Sequence, residues 1–199
     1  MELIHQTQTA TEPTLFESLR QETADLHKEI ESYVPLLNPK LSLGEYRTHL
    51  RKLLGFYIPL EEQLARFSLP EILEMPKRFK KKWLIADLIA LGESPESFAR
   101  IPLYADINQI TSISALVGAL YVTEGSTLGG QVIHRALKEN LQMPDSQMRF
   151  YMAYGSDTGR MWNLFKTHAP KLVPDREKIV AGESARETFK TLIHWLKTN

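Results

Sequence analysis

The segment over residues 119–137, ALYVTEGSTLGGQVIHRAL, limits the fold of this chain more than any other. Its apolar residues recur with a helical period, yet Gly125, Gly129 and Gly130 fall within six residues of one another. Each glycine in a helix interior costs roughly 1 kcal/mol relative to alanine, so the trio costs about 3 kcal/mol. Nothing in helix formation asks for that. Gly118, Gly125 and Gly129 stand at i, i+7 and i+11, on one face of the helix. Something must approach the backbone on that face, either a second helix or a ligand. Ser126 and Thr127 add hydroxyls beside the glycines, and the Gly129-Gly130 pair invites a local bend. A helix with bare backbone and hydroxyls suits a flat ligand carrying a small polar group above its plane.

The rest of the chain has the same helical period. Thr14 with Glu17 and Ser42 with Glu45 read as capping boxes. The first opens a helix carrying Leu15, Leu19, Leu26, Ile30 and Val34, which ends before Pro35. The second opens a helix carrying Tyr46, Leu50, Leu53, Leu54, Tyr57 and Leu64, with Pro59 expected to kink it. Further helices are expected over residues 80–91 (ended by Gly92), 106–141, 157–168 (with Asp157 as N-cap) and 175–197. No segment alternates with period two between turn residues. The sequence predicts an all-α protein, a compact bundle of about seven helices. Residues 1–13 read as a flexible N-terminal arm and residues 14–199 as a single helical domain.

Composition narrows the chemistry. Cysteine is absent, which excludes disulfides, thiolate metal sites and cysteine nucleophiles. The 24 Lys and Arg residues equal the 24 Asp and Glu residues, so no overall field attracts nucleic acid or an anionic membrane. The polar first residues lack a signal-peptide core, and no apolar run reaches spanning length, which leads us to expect a cytoplasmic setting. His49, His134, His168 and His194 lack a second histidine at ligand spacing. The sequence has no H-E-x-x-H, no paired Glu-x-x-His, no G-x-S-x-G and no Walker motif.

His27 is the histidine with a suitable partner. It lies near the apolar stripe of the first helix, and Glu31 follows at i+4, within reach of the imidazole. A metal-bound histidine usually donates its second ring N–H to such a carboxylate. The plain alternative is a half-exposed histidine beside a surface glutamate. Arg20 sits two turns back on the same face and can pair with a carboxylate of a shared ligand.

In order along the chain, TADLHKEIE, LLGFYIPLEEQL, ADLIALG, LYVTEGSTLGGQVI, FYMAYGSDTGRMW and ESARETFKTLIHWL resemble the haem oxygenase family, closest to its bacterial, biliverdin-producing branch. The resemblance covers nearly the whole chain, and the glycine segment is its specific part. It implies a helical fold with haem (iron protoporphyrin IX, both cofactor and substrate) held between the first helix and the glycine-broken one. His27 then corresponds to the iron ligand and Glu31 to its partner. Gly125 and Gly129 correspond to the distal glycines, and Arg20, Arg135 and Lys166 to basic partners of the propionates. Phe189 corresponds to a pocket-lining residue. The implied reaction consumes O2 and external electrons and yields biliverdin, carbon monoxide and ferrous iron. The donor must be a separate protein (ferredoxin-like, flavodoxin-like or a reductase), because this chain has no flavin or nicotinamide motif. Animal-type members carry an aspartate where Ser126 stands, and serine is the poorer proton relay. That departure keeps a second reading open, a haem carrier or sensor without turnover. A third is an all-helical relative with another ligand, such as a pyrimidine-handling enzyme of similar fold, although the usual catalytic thiol is missing. Lys77, Arg78, Lys80, Lys81 and Lys82 read as a solvated helix start or as a dock for an acidic electron donor.

Overall fold

The computed structural model describes residues 13–107 and 109–198, so residues 1–12 of the expected arm, like Asn199, lie outside the described ones. Among the described residues there are nine α-helices and no strand. They are α1 (Leu15–Glu31), α2 (Leu43–Leu64), α3 (Met75–Arg78), α4 (Lys81–Ala90), α5 (Pro95–Phe98), α6 (Ile113–Leu141), α7 (Arg149–Met152), α8 (Thr158–His168) and α9 (Lys178–Thr198). The all-α expectation holds. Three of the nine, α3, α5 and α7, are single turns of 4 residues, too short to show a periodic apolar stripe.

Both capping boxes form. The Thr14 side chain accepts from Glu17 N and the Ser42 side chain from Glu45 N, and each glutamate reaches back to its cap. Pro59 lies inside α2, which continues through it. Its ring removes the donor that would bond the carbonyl four residues earlier. That carbonyl belongs to Gly55 and is taken instead by Tyr104 N at 3.0 Å.

One helix starts well after the expected residue, and two are capped in ways that the local sequence does not show. The segment expected from residue 106 becomes helical only at Ile113. Ser112 supplies its cap to Ala115 N, and Gln63 holds Ile110 N at 2.9 Å in the approach. The helix expected over residues 80–91 forms as α4, with the single turn α3 before it, and no side-chain cap comes from Lys80. The carboxylate of Glu61 on α2 takes the Lys80 and Lys81 N–H groups instead, capping α4 from another helix. Asp157 precedes α8 but makes no capping hydrogen bond, because its carboxylate pairs with Arg160 at 3.0 Å.

The core gathers around α9, which packs on both α1 and α6. These two helices lean chiefly on α9 rather than on each other. Behind them, α2, α4 and α7 bury a polar cluster. His49 Nε2 stands 2.7 Å from the Tyr151 hydroxyl, and Asp87 accepts Arg149 N at 2.8 Å and Phe150 N at 2.9 Å.

Burial, with Lys52 adding repulsion, pushes the His49 imidazole down to about 4 from an ordinary 6.5. Its stabilising contribution is therefore complete above pH 6.5 and is lost as pH falls toward 4, a swing of about 3 kcal/mol. Burial pushes Asp87 up to about 6, so its contribution runs the other way, falling as pH rises through 4 to 6. The two slopes offset each other. Replacing His49→Gln should therefore make the protein gain stability on acidification relative to wild type, by about 2 kcal/mol between pH 7 and 4.5. Denaturant unfolding at the two pH values measures this, and parallel pH profiles for both proteins would refute it.

Candidate functional site

The glycines of α6 have different neighbours. A Cβ on Gly118 would run into the Ala181 carbonyl and stand 3.0 Å from Ala185 N, both on α9. A Cβ on Gly130 would lie 3.0 Å from the Tyr151 carbonyl oxygen. These two glycines allow close backbone packing, so of the shared face expected for Gly118, Gly125 and Gly129 it is Gly118 that a second helix approaches. Among the described residues, a Cβ on Gly125 would meet only Trp162, at 4.0 Å, and one on Gly129 would meet nothing within 4 Å. No packing against those residues explains the cost of these two. The α6 backbone runs on as one helix from Ile113 to Leu141, so the glycines interrupt its side-chain surface and not its helical run.

Gly125 and Gly129 belong to a stripe that begins with Tyr121 and includes Leu128 and Val132. Leu128 is 42% exposed and Val132 55%, large apolar side chains facing outward beside bare backbone. On α1 the matching stripe is Phe16, Arg20, Thr23 and His27, at i, i+4, i+7 and i+11. The two stripes meet at Tyr121. Its ring packs edge-on against Phe16 at 5.8 Å, and its hydroxyl feels Thr23 and Arg20. Phe16 also packs against Trp162 at 5.6 Å and Phe165 at 5.5 Å, both on α8.

His27 lies one turn beyond Thr23. Its Nδ1 is 3.5 Å from Glu31 Oε1, and the two side chains are 67% and 68% exposed. The imidazole thus turns one nitrogen toward a carboxylate and leaves Nε2 open. Phe189 of α9 is buried and supports the ring edge-on, with centroids 6.0 Å apart. Arg20 is exposed on the α1 stripe. Lys166 extends over the ring of Trp162 at 5.9 Å, the side chain that comes within 4.0 Å of a Cβ built on Gly125. Arg135 is exposed on α6, about 15 Å along the axis from Gly125 at 1.5 Å per residue. A shallow depression of about 480 Å³ beside Thr111, Ser184 and Glu187 includes none of these residues.

Ser126 donates to the Thr123 carbonyl at 2.8 Å and also stands beside the Tyr57 hydroxyl. Tyr57 is buried on α2, and that burial holds its phenol above the ordinary range, against the opposing pull of its hydrogen bond to Ser126. By sequence Tyr57 reads only as an apolar-stripe residue of α2, because nothing local ties residue 57 to residue 126.

The basic cluster near residue 80 is also redistributed. Arg78 and Lys80 are buried, not solvated, and both pair with Glu124 of α6. Lys77 is bound by Glu74 at 2.8 Å. Only Lys77, Lys81 and Lys82 stand toward solvent, so neither a solvated helix start nor a donor dock describes the whole run.

Comparison with known proteins gives a consistent result. The sequence model described as "Heme oxygenase" matches residues 13–198. None of the curated proteins matches the sequence. The chain is similar in structure to the heme oxygenase from Leptospira interrogans, with TM-score 0.79 and 22% identity over 94% of this chain and 100% of that one. It is also similar to heme oxygenase-1 from the cyanobacterium Synechocystis sp. PCC6803, solved in complex with heme, with TM-score 0.77 and 20% identity over 93% and 91% of the two chains.

The differing glycine environments predict opposite effects of one substitution. Gly129→Ala should raise the stability of the protein alone by about 1 kcal/mol, since the methyl meets nothing and the helix gains propensity. Gly118→Ala should destabilise it by at least about 2 kcal/mol, since α9 must be pushed away. Thermal melts of the two variants decide this, and a shared sign would overturn the division.

Proposed function

The chain belongs to the haem oxygenase family, and from that premise we propose that it binds haem between α1 and α6 and opens the ring to biliverdin. The observation that carries this reading is the pair Gly125 and Gly129. Among the described residues nothing packs closely on their bare backbone, and they lie on the α6 stripe that meets the α1 stripe ending in His27. The residues present fit the group. An open imidazole nitrogen suits an iron ligand, exposed Leu128 and Val132 suit the face of a porphyrin, and exposed cations suit its propionates.

In this reading His27 Nε2 binds the iron. Glu31 accepts from Nδ1 and so fixes the tautomer and the ring orientation. Phe189 backs the imidazole against rotation. Arg20 and Lys166 hold propionates at the aromatic end of the site, and Arg135 takes part only if a propionate extends along α6. Gly125 and Gly129 leave room above the ring that any larger residue would fill. Haem supplies the oxidisable ring and the iron at which dioxygen is reduced, with biliverdin, carbon monoxide and ferrous iron as products. Ser126 Oγ moves protons on that side. Its hydroxyl can donate to the Thr123 carbonyl or turn toward the site, with Tyr57 as its hydrogen-bonded neighbour. A hydroxyl pair does the work for which an aspartate serves in animal-type members. Electrons come from a separate donor of ferredoxin, flavodoxin or reductase type. Ser126 in place of an acid favours one other reading, a haem carrier or sensor that does not turn its ligand over.

Hemin titration followed by ascorbate or a reductase under air tests both. The expected result is a saturable Soret band, lost in His27→Ala, that decays into the broad red absorption of biliverdin. A stable complex that survives reductant and oxygen would select the carrier, and no complex would end both readings. Ser126→Ala and Tyr57→Phe should bind hemin as wild type does and slow ring opening about tenfold. Unchanged rates would remove the hydroxyl pair from the reaction.

A further inference from the structure

Glu124 precedes Gly125 and is almost fully buried inside α6. Its carboxylate is bound by Arg78 Nη1, by Lys80 Nζ at 2.6 Å and by the Tyr154 hydroxyl at 2.9 and 3.0 Å. The donors come from the α3–α4 corner and from the stretch between α7 and α8. Arg78 reaches onward, donating from Nε to the Leu73 carbonyl at 2.6 Å and from Nη2 to the Met161 carbonyl at 3.2 Å. Lys80 also donates to the Arg78 carbonyl at 3.0 Å. Met161 is the neighbour of Trp162, the one side chain among the described residues that approaches a Cβ built on Gly125 within 4.0 Å.

Stability does not account for this cluster. A buried ion pair costs several kcal/mol per charge to desolvate, and apolar residues of similar volume often serve stability as well or better. Its position accounts for it. It grips α6 one residue before the glycines weaken that helix, and through Met161 it grips α8 one residue before Trp162. A carboxylate at this place draws two cations from one corner and a phenol from another onto a single point, which no apolar side chain can do. The bonds have direction, so the gap between Gly125 and Trp162 has one setting.

We propose that Glu124, through Arg78, Lys80 and Tyr154, is a positioning residue that sets the α6 backbone over residues 125–130 against α8. Resting on the haem reading above, it thereby fixes the attitude of the bound ring and the ring edge that is opened.

Two variants test this. Glu124→Asp keeps the charge and withdraws it by one methylene. Glu124→Leu combined with Arg78→Met and Lys80→Met removes all three charges at similar volume. Hydrogen exchange on the protein without hemin reads the backbone over residues 125–130. We expect exchange there about tenfold faster in both variants, even though the triple variant melts no lower than wild type. With hemin and reductant, we expect both to release a mixture of biliverdin isomers where wild type gives a narrower pattern. If the triple variant recovers both thermal stability and the slow exchange of wild type, the cluster serves stability alone and the proposal is overturned. Wild-type exchange and isomer pattern in Glu124→Asp overturn it as well. A wild-type protein that binds no hemin ends the haem reading alone, since the exchange measurement still decides the positioning role.

Discussion

The close crossing of α6 and α9 at Gly118 and Ala181 is the constraint on which the rest depends. Backbone meets backbone there, and any side chain on Gly118 would occupy the Ala181 carbonyl. The same stretch of α9 meets α1, where Gly182 lies against the Glu22 carboxylate. Arg186 then pairs with Asp25 at 2.9 Å, and Phe189 meets the His27 ring. One helix thus positions two others that scarcely pack on each other, and the placing of the His27 and Gly125 stripes relative to each other follows from that arrangement. Residues carried on packed helices keep their geometry fixed where loops would not.

The α6 helix serves two requirements that conflict. Its first half is apolar and buried and can be stiff. Its second half carries bare backbone at Gly125 and Gly129, which lowers its intrinsic stability just where a fixed geometry matters. Two kinds of support make up for this. Gly130 lets the helix seat against the Tyr151 carbonyl, and Glu124 ties it to Arg78, Lys80 and Tyr154. Buried charge is an expensive way to hold a helix, so its place beside the glycines is informative. The Glu61 carboxylate, which caps α4 from α2 and is pushed above its ordinary range mainly by burial, extends the polar layer behind the same helix.

Similarity to heme oxygenases at 20% and 22% identity carries the fold while most side chains differ. Packing conserves the spacing of small and large residues more than their identity, and cores tolerate substitution when volume and pattern are kept. The particular chemistry therefore has to be argued from this chain's own residues. They include a serine and a tyrosine at the glycine face and an internal carboxylate behind it.

Much of this was legible in the sequence. The capping boxes at Thr14 and Ser42, the helical period, the cost of the glycine trio and the i+4 relation of His27 to Glu31 are local. They depend on residues within a turn or two, and they determined the all-α class and the place of the unusual helix. The tertiary structure decided what local rules cannot reach. It separated Gly118 and Gly130, which face neighbouring backbone, from Gly125 and Gly129, which do not. It turned Arg78 and Lys80 inward toward a carboxylate more than forty residues away and brought Tyr57 beside Ser126. Periodicity names the face a residue lies on, but only the packing of distant segments determines what that face meets. For a charged or missing side chain, that neighbour decides its role.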